Sequence, residues 1–369
     1  HEGLLLLNNL FLADKVAGIM LAIFIVAIFL AVLRALKIKN LYFWSLLLML
    51  GSADFLLRIL LVRTFLMSII FLLLGTYVLV KKRYKLLIPI GILYALAYSA
   101  SPLLIVLSLF WAASIYLYEK KIDLKPVLFS LLGILIGWVI SPAFPLNVLN
   151  LFKDILPVFY ILPFHGISAG HELTSYSIIE ILKYNNLILI GWIVVFAGSI
   201  KLAYKKSIST MSPSTFFMGW LSLFFFLLTL FSRRFVEYFI PFATLFLALA
   251  MNEPLKSLGA RIKEGAILKA KEFRLAMIVA CLAIASLAVF NFYQVHTIVK
   301  NTQSITEYKE VCEWLKGNVK PEEIVFNTQW DHPTKLYFWG CQNTQFIVKI
   351  DPTSFYLMEP EKYQTWLSF

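Results

Sequence analysis

The chain has 369 residues, of which 60% are apolar and only 15% are charged. Soluble domains are typically about 45–50% apolar, so this composition excludes a water-soluble globule. The formal net charge is +12, but the Lys and Arg residues form short clusters between apolar runs, so we expect no nucleic-acid partner. Cys281, Cys312 and Cys341 lack the spacing of a zinc site.

The apolar runs predict a membrane protein. A helix needs about 20 mainly apolar residues to cross a hydrocarbon core of roughly 30 Å. In chain order, the candidate spans are about ten in number: 16–33, 41–57, 64–80, 86–100, 102–118, 126–140, 187–204, 214–231, 236–251 and 275–293. The fourth and fifth share one run that is too long for a single helix, which predicts a helical hairpin that turns at Pro102.

The distribution of Lys and Arg predicts the orientation, because cytoplasmic loops collect these residues. Nineteen of them lie in alternate loops, seven lie on the opposite side, and the remaining seven of the 33 lie in the tail. The predicted fold class is therefore an all-α polytopic bundle at 1–293, followed by a small extracytoplasmic α/β module at 294–369.

Two regions outside the predicted spans stand out. The long outer connection 141–186 contains four prolines and a semi-apolar stretch at 151–164, which is typical of an interfacial or re-entrant helix. In the tail, the pattern predicts a helix at 305–319, with Ser304 and Glu307 as a capping box, and strands at 322–327 and 344–350. Cys312 and Cys341 can pair if the compartment is oxidising.

Ionisable side chains at the membrane edge are candidates for function, because they are costly there. The first group is Asp54, Arg58 and Arg63, in which Asp54 and Arg58 have the i,i+4 spacing of a helical ion pair. The alternative is purely structural: an ion pair beside an Arg63 side chain that reaches to the interface.

The second group is Arg233, Arg234 and Glu237, with Arg233 and Glu237 at i,i+4. Guanidinium groups match phosphate or carboxylate oxygens in a bidentate manner. Two adjacent arginines on the outer side also run against the general charge bias, which favours phosphate binding. The alternative is that Arg234 anchors the helix and Glu237 neutralises Arg233.

The outer connection adds His165, His171 and Glu172 as supporting candidates. His171 lacks a second histidine four residues later, so the metalloprotease helix motif is absent. Neither a glycine-rich phosphate loop nor a hydrolase elbow occurs in the sequence. In the tail, the aromatic segment 327–343 suits either sugar stacking beside Asp331 or an ordinary aromatic core.

Several segments together resemble the GT-C superfamily of lipid-dependent glycosyltransferases, in its prokaryotic mannosyltransferase-like and aminoarabinose-transferase-like branch. The resemblance runs through HEGLLLLNNLFLADKVAGIMLAIF, GSADFLLRILLVRTF, SPAFPLNVLNL, SRRFVEYFIPF and the tail segment VFNTQWDHPTKLYFW. It implies a multi-pass protein of a prokaryotic plasma (inner) membrane. Such enzymes move a sugar from a polyprenyl-phosphate carrier to a lipid, glycan or protein acceptor at the outer face.

In that family, an acid in the first long outer loop acts as the base or holds a divalent metal ion. Here His1 aligns near the end of that loop, so we expect an N-terminally truncated chain whose catalytic acid lies upstream, with Asp54 and Glu172 as fallback candidates. No cofactor other than this metal ion is implied. The phosphate of the donor would meet Arg58, Arg63, Arg233 and Arg234, with Glu237, His165 and His171 in support.

Two other classes of function stay open. A transporter or flippase of lipid-linked sugars would show internal repeats and helix-breaking residues near mid-membrane, and the sequence shows no obvious repeat. A non-catalytic membrane scaffold with a glycan-binding tail would lack an acid in the first outer loop.

Overall fold

The computed structural model describes residues 10–61, 63–155, 173–206, 211–263, 271–301, 307–348, 355–357 and 359–368. These residues are mainly helical and contain one small sheet. The helices are α1 Leu10–Ala35, α2 Leu41–Leu50, α3 Ala53–Ile59, α4 Phe65–Val80, α5 Leu87–Ala97, α6 Leu103–Glu119, α7 Lys125–Ile140, α8 Leu146–Asn150, α9 Ile178–Tyr184, α10 Asn186–Lys206, α11 Pro213–Phe231, α12 Val236–Lys263, α13 Lys271–Asn301, α14 Glu307–Asn318, α15 His332–Phe338 and α16 Pro360–Leu367.

The chain forms two compact units. The first comprises residues 1–147, 176–230 and 234–296, and the second comprises 148–175, 231–233 and 297–369. The second unit thus includes the tail and also part of the long connection, whereas the sequence predicts a single boundary after residue 293.

Apolar helices account for every predicted span, but their lengths differ. Among the described residues, four helices are long and apolar enough to cross a membrane, namely α1, α11, α12 and α13. The number rises to six if each of two sharply bent helix pairs counts as one span. The remaining apolar helices, α4 to α7, are shorter than 18 residues, so the total of ten stays a prediction. Two helices, α5 and α6, flank Pro102, and their packing as a hairpin stays a prediction.

The two bent pairs are interrupted helices. Helices α2 and α3 meet at 89°, and α9 and α10 meet at 105°. Ser52 caps α3, since its hydroxyl accepts a hydrogen bond from the Phe55 amide at 3.0 Å. Ser177 and Glu180 form a capping box at the start of α9. Ser52 therefore satisfies a helix end that the first bend creates, whereas the capping box satisfies the end of α9 away from the second bend.

Glycines bring α5 and α7 into close contact. A Cβ atom on Gly133 would lie 2.4 Å from the carbonyl oxygen of Ile88, and one on Gly137 would lie 2.8 Å from that of Ile92. Small residues allow helix backbones to approach in this way in membrane bundles. Side chains larger than hydrogen do not fit at these positions without a shift of the backbone.

Aromatic rings fill the core between α10, α11 and α12. The Trp192 ring stacks on Phe196 with a centroid distance of 4.9 Å, and its indole N–H donates to the Ser222 hydroxyl at 2.8 Å. Phe225 stacks on Phe242 at 5.4 Å. Each buried aromatic ring removes a large apolar area and also prefers stacked or edge-on neighbours. Stacked aromatic rings therefore hold these three helices together.

The second unit contains a small core around the Cys312–Cys341 disulfide. Leu315, Leu336 and Phe346 pack with the two cysteines. The helix predicted at 305–319 is observed as α14, but Ser304 of the predicted capping box lies outside the described residues.

The sheet of the second unit is smaller than the sequence predicts. Strands β1 (Ile324–Val325) and β2 (Gln345–Phe346) pair in parallel over two residues each. Beyond them, the Asn327 amide donates to the Val348 carbonyl at 2.8 Å and accepts from the Val348 N–H at 3.1 Å. A side chain thus takes the place of the next backbone pairing, which shortens both strands.

We predict that Gly133→Ala lowers thermal stability in detergent. The new methyl group would overlap the Ile88 backbone, and such overpacking typically costs about 1–3 kcal/mol. Gly198→Ala is the matched control, because a Cβ atom there meets nothing within 4 Å and alanine is the better helix former. Equal melting temperatures for the two variants would contradict the close packing of α5 and α7.

Candidate functional site

The two helix interruptions of the first unit lie against each other. The Ile188 N–H donates to the Gly51 carbonyl at 3.3 Å, and a Cβ atom on Gly51 would lie 2.7 Å from the Ile188 side chain. Glycine at this position is therefore required by the close approach. The contact joins the end of α2 to the start of α10.

Two asparagines and a glutamine add hydrogen bonds around the two interruptions, and we call this region the polar junction. Asn291 on α13 donates to the Leu50 carbonyl at 2.9 Å and exchanges hydrogen bonds with Asn186. Gln294 donates to the Lys183 carbonyl at 3.3 Å. Backbone groups at membrane depth must find partners inside the protein, and these side chains supply them at both bends.

Asp54 lies at the centre of the junction. The Ser52 hydroxyl donates to Asn185 Oδ1 at 2.6 Å, and Asn185 Nδ2 donates to Asp54 Oδ2 at 3.2 Å. The Tyr176 hydroxyl donates to the same carboxylate oxygen. Asp54 is also in the first turn of α3, where the helix dipole favours a negative charge. Its carboxylate is therefore held in one position by both of these donors.

The surroundings of Tyr176 keep its hydroxyl protonated as a hydrogen-bond donor. Burial, followed by the charge of Asp54, raises the pKa of the Tyr176 phenol well above its ordinary value. The phenol thus keeps its proton at physiological pH and stays hydrogen-bonded to Asp54.

Arg58 forms an ion pair with Glu237. The Arg58 guanidinium donates through Nη1 to Glu237 Oε1, and the two residues are 9% and 0% exposed. The sequence predicts local partners for both, Asp54 for Arg58 and Arg233 for Glu237. The observed pair joins α3 to α12 across 179 residues, a contact that helical spacing cannot reveal, and the two local pairs stay predictions.

Arg234 lies in the same unit and is half-buried. Its Nη2 atom donates to the Tyr98 hydroxyl at 2.7 Å, at the end of α5. Next to Glu237, the Tyr238 hydroxyl donates to Ser68 at 3.0 Å, and Ser68 is also hydrogen-bonded to Tyr94. The Arg58–Glu237 pair thus joins α3 to α12, and hydrogen bonds join α12 to α4 and α4 to α5.

The other predicted residues have different described surroundings. Arg63 is exposed in the turn before α4. Arg233 is buried within the second unit, where its backbone N–H donates to the Thr174 carbonyl at 3.0 Å. Asp331 pairs with Lys335 at 2.8 Å in the second unit. His165, His171 and Glu172 lie outside the described residues.

A metal centre was one expectation from the family resemblance. Within the described ranges, no group of three or more His, Cys, Asp or Glu side chains is arranged to hold a metal ion. In the first unit, the candidate acids Asp54 and Glu237 are engaged with Tyr176, Asn185 and Arg58.

Comparison with known proteins rests on structure. No protein-family model matches the chain, and a search of curated proteins finds no match. The solved structure of the Archaeoglobus fulgidus oligosaccharyltransferase, tethered to an acceptor peptide with an NVT sequon, matches with a TM-score of 0.53. The chain is similar in fold to this oligosaccharyltransferase.

The match is low in sequence identity and covers only part of the oligosaccharyltransferase. Sequence identity is 16%, and the alignment covers 91% of this chain but 53% of the oligosaccharyltransferase. The chain thus spans about half the length of that protein. At this identity the likeness shows a similar fold, that of a helical membrane protein, and no more.

Sequence reasoning missed Tyr98, Tyr176 and Asn185, which contribute as much to the site as the charged residues. Asn185 and Asn186 had a usable signal, since two adjacent amides begin an apolar run. Tyr98 precedes the break at Pro102 and is one of 17 tyrosines, so nothing singles it out. Tyr176 lies in a long connection, and its contact with Asp54 of α3 depends on tertiary packing that no local sequence pattern indicates.

We predict that Arg58→Met and Glu237→Met each destabilise the protein by about 3–5 kcal/mol, because each leaves one buried charge without its partner. The double variant should cost much less than the sum, since it leaves neither charge. A double-mutant cycle measured by unfolding in detergent tests this. Lys82→Met, at the exposed Lys82–Glu119 pair, should change stability by less than about 1 kcal/mol. Additive effects at Arg58 and Glu237 would contradict a direct pair.

Proposed function

We propose that the chain is part of a membrane glycosyltransferase. It would transfer a sugar from a polyprenyl-phosphate donor to a lipid, glycan or protein acceptor at the outer face of a prokaryotic plasma membrane. The fold likeness to an oligosaccharyltransferase supports the general class of activity. The observation that carries the proposal is the polar junction at one end of the bundle, where arginines meet an interrupted pair of helices.

The donor chemistry requires such an arrangement. A polyprenyl phosphate must keep its tail in lipid while its phosphate meets cations and hydrogen-bond donors. Arg58 is largely neutralised by Glu237, so its role in the proposal is to position α3 against α12. Arg234 is half-buried three residues before Glu237, and its guanidinium donates to the Tyr98 hydroxyl. We assign Arg234 as the principal phosphate ligand, because a guanidinium forms charge-assisted hydrogen bonds to phosphate oxygens, with exposed Arg63 in a secondary role.

The predicted role of Arg233 stays a prediction, because its described contact lies in the second unit. The supporting roles of His165 and His171 stay predictions as well.

The catalytic base has two kinds of candidate. A general base must have a lone pair available for the acceptor's proton. Asp54 accepts hydrogen bonds from Tyr176 and Asn185, and both donors occupy its Oδ2 atom. Asp54 is therefore better suited to orient the junction than to remove a proton. The proposal keeps the acid outside the described residues, either upstream in the first outer loop, with or without a divalent metal ion, or at Glu172.

A transporter of lipid-linked sugars is the second candidate. The two interrupted helices favour it, because transporters commonly place substrates at broken helices near the bilayer midplane. The two functions differ in chemistry. A glycosyltransferase breaks the sugar–phosphate bond and labels the acceptor, whereas a transporter moves the intact donor across the bilayer. Proteoliposomes with a radiolabelled donor separate these outcomes.

We predict that Arg234→Gln weakens binding of a polyprenyl-phosphate sugar by roughly tenfold to a hundredfold. Charge-assisted hydrogen bonds contribute about 1.5–3 kcal/mol, and 1.4 kcal/mol corresponds to a factor of ten. Binding is measured on the full chain in nanodiscs. Arg34→Gln removes an exposed cation at the end of α1 and should leave affinity unchanged. An unchanged affinity in Arg234→Gln would remove this residue from the donor site.

The second unit is proposed to be extracytoplasmic, on the Lys and Arg distribution and on the Cys312–Cys341 disulfide, which favours an oxidising compartment. We predict that Ser368→Cys, in a Cys281→Ser background, reacts with a membrane-impermeant maleimide in intact cells. Lys121→Cys, on the predicted cytoplasmic side, should react only after permeabilisation. The reverse pattern would invert the topology.

A further inference from the structure

A second site lies far from the polar junction. A cavity of about 410 Å³ is lined by the C-terminal half of α10, the N-terminal half of α11 and one residue of α12. The junction is at the opposite end of α10, and Ile200 lies about 21 Å along the helix from Asn186, at about 1.5 Å for each residue step. The cavity is lined by Phe196, Ser199, Ile200, Tyr204, Met211, Thr215, Phe216, Gly219, Trp220, Leu223 and Phe246.

The cavity has the chemistry of an apolar-chain site. Its walls are aromatic and aliphatic, with Ser199 and Thr215 as small polar exceptions. Gly219 keeps the space open, since a Cβ atom there would already lie 3.1 Å from the Phe246 ring. Trp220 and Tyr204 are 46% and 92% exposed, so the cavity is a groove open to its surroundings. Its volume lies within the 300–1,000 Å³ typical of small-molecule sites.

Exposed lysines neighbour residues that line or contact the groove. Lys201 directly follows the lining residue Ile200 in the chain. The Tyr118 ring lies 6.1 Å from the ring of Phe216, which lines the groove, and exposed Lys120 and Lys121 follow Tyr118 by two and three residues. Glu119 is paired with Lys82 at 3.2 Å and so does not neutralise these lysines.

We propose that this groove binds one anionic phospholipid, with an acyl chain in the groove and the phosphate group against Lys201 and Lys120. An apolar cleft with a basic rim matches such a lipid, whose tail is apolar and whose headgroup is negative. The basic loops of this end are predicted to be cytoplasmic, and the cytoplasmic leaflet is the anionic one. A second copy of the chain fits less well, because it would bring the same positive rim against this one.

The test is native mass spectrometry of the full chain with palmitoyl-oleoyl phosphatidylglycerol and phosphatidylcholine in equal amounts. We expect one phosphatidylglycerol to be retained in preference to phosphatidylcholine. Gly219→Leu fills the groove and should abolish this retention. Gly198→Leu adds the same side chain where a Cβ atom meets nothing within 4 Å, and should retain the lipid. Lys201→Gln, a surface change that does not threaten folding, should reduce the preference for phosphatidylglycerol about fivefold.

Several results would overturn the proposal. Equal retention of both lipids by the wild type would remove the anionic preference. A Lys201→Gln variant with an unchanged preference would remove the proposed headgroup contact. Retention by a folded Gly219→Leu variant would place the lipid elsewhere, and a dimer that Gly219→Leu disrupts would identify a second copy as the occupant.

Discussion

The meeting of two helix interruptions is the constraint on which the rest of the first unit depends. A broken helix exposes backbone N–H and C=O groups, and hydrocarbon offers them no partner. Here the groups are satisfied by the other interruption and by amide side chains: Gly51 accepts from Ile188, and Leu50 accepts from Asn291. The sharp bends of 89° and 105° are possible because they occur together. The start of α10 supplies a hydrogen-bond donor for a carbonyl group at the end of α2.

The bends also determine where charge can be placed. Asp54 starts the short helix after the first bend, and its position is maintained by Asn185 and Tyr176 from the second. One turn later, Arg58 reaches Glu237 on α12. A buried pair of this kind contributes little net stability, but loss of either partner is costly. The pair therefore acts mainly to specify the docking of α3 on α12.

The sequence predicts the helices well and the site only in part. Apolar length identifies every long helix, and Pro102 marks the α5–α6 turn, because both signals are local. The bends at Gly51 and Asn185 are not predicted, since neither a single glycine nor an asparagine marks a right-angle turn inside an apolar run. Helical spacing assigns Arg58 and Glu237 to neighbours four residues away, whereas their contact spans 179 residues. Such a partner is set by tertiary packing alone.

The central claim is that the polar junction holds the phosphate of a lipid-linked sugar. Cryo-electron microscopy of the full chain in nanodiscs, with a non-hydrolysable phosphonate analogue of a polyprenyl-phosphate sugar, tests it most directly. The predicted result is phosphonate density within hydrogen-bonding distance of the Arg234 guanidinium, beside the bends at Gly51 and Asn185. Density for the phosphonate away from both bends, with Arg234 still bound to Tyr98, would contradict the claim.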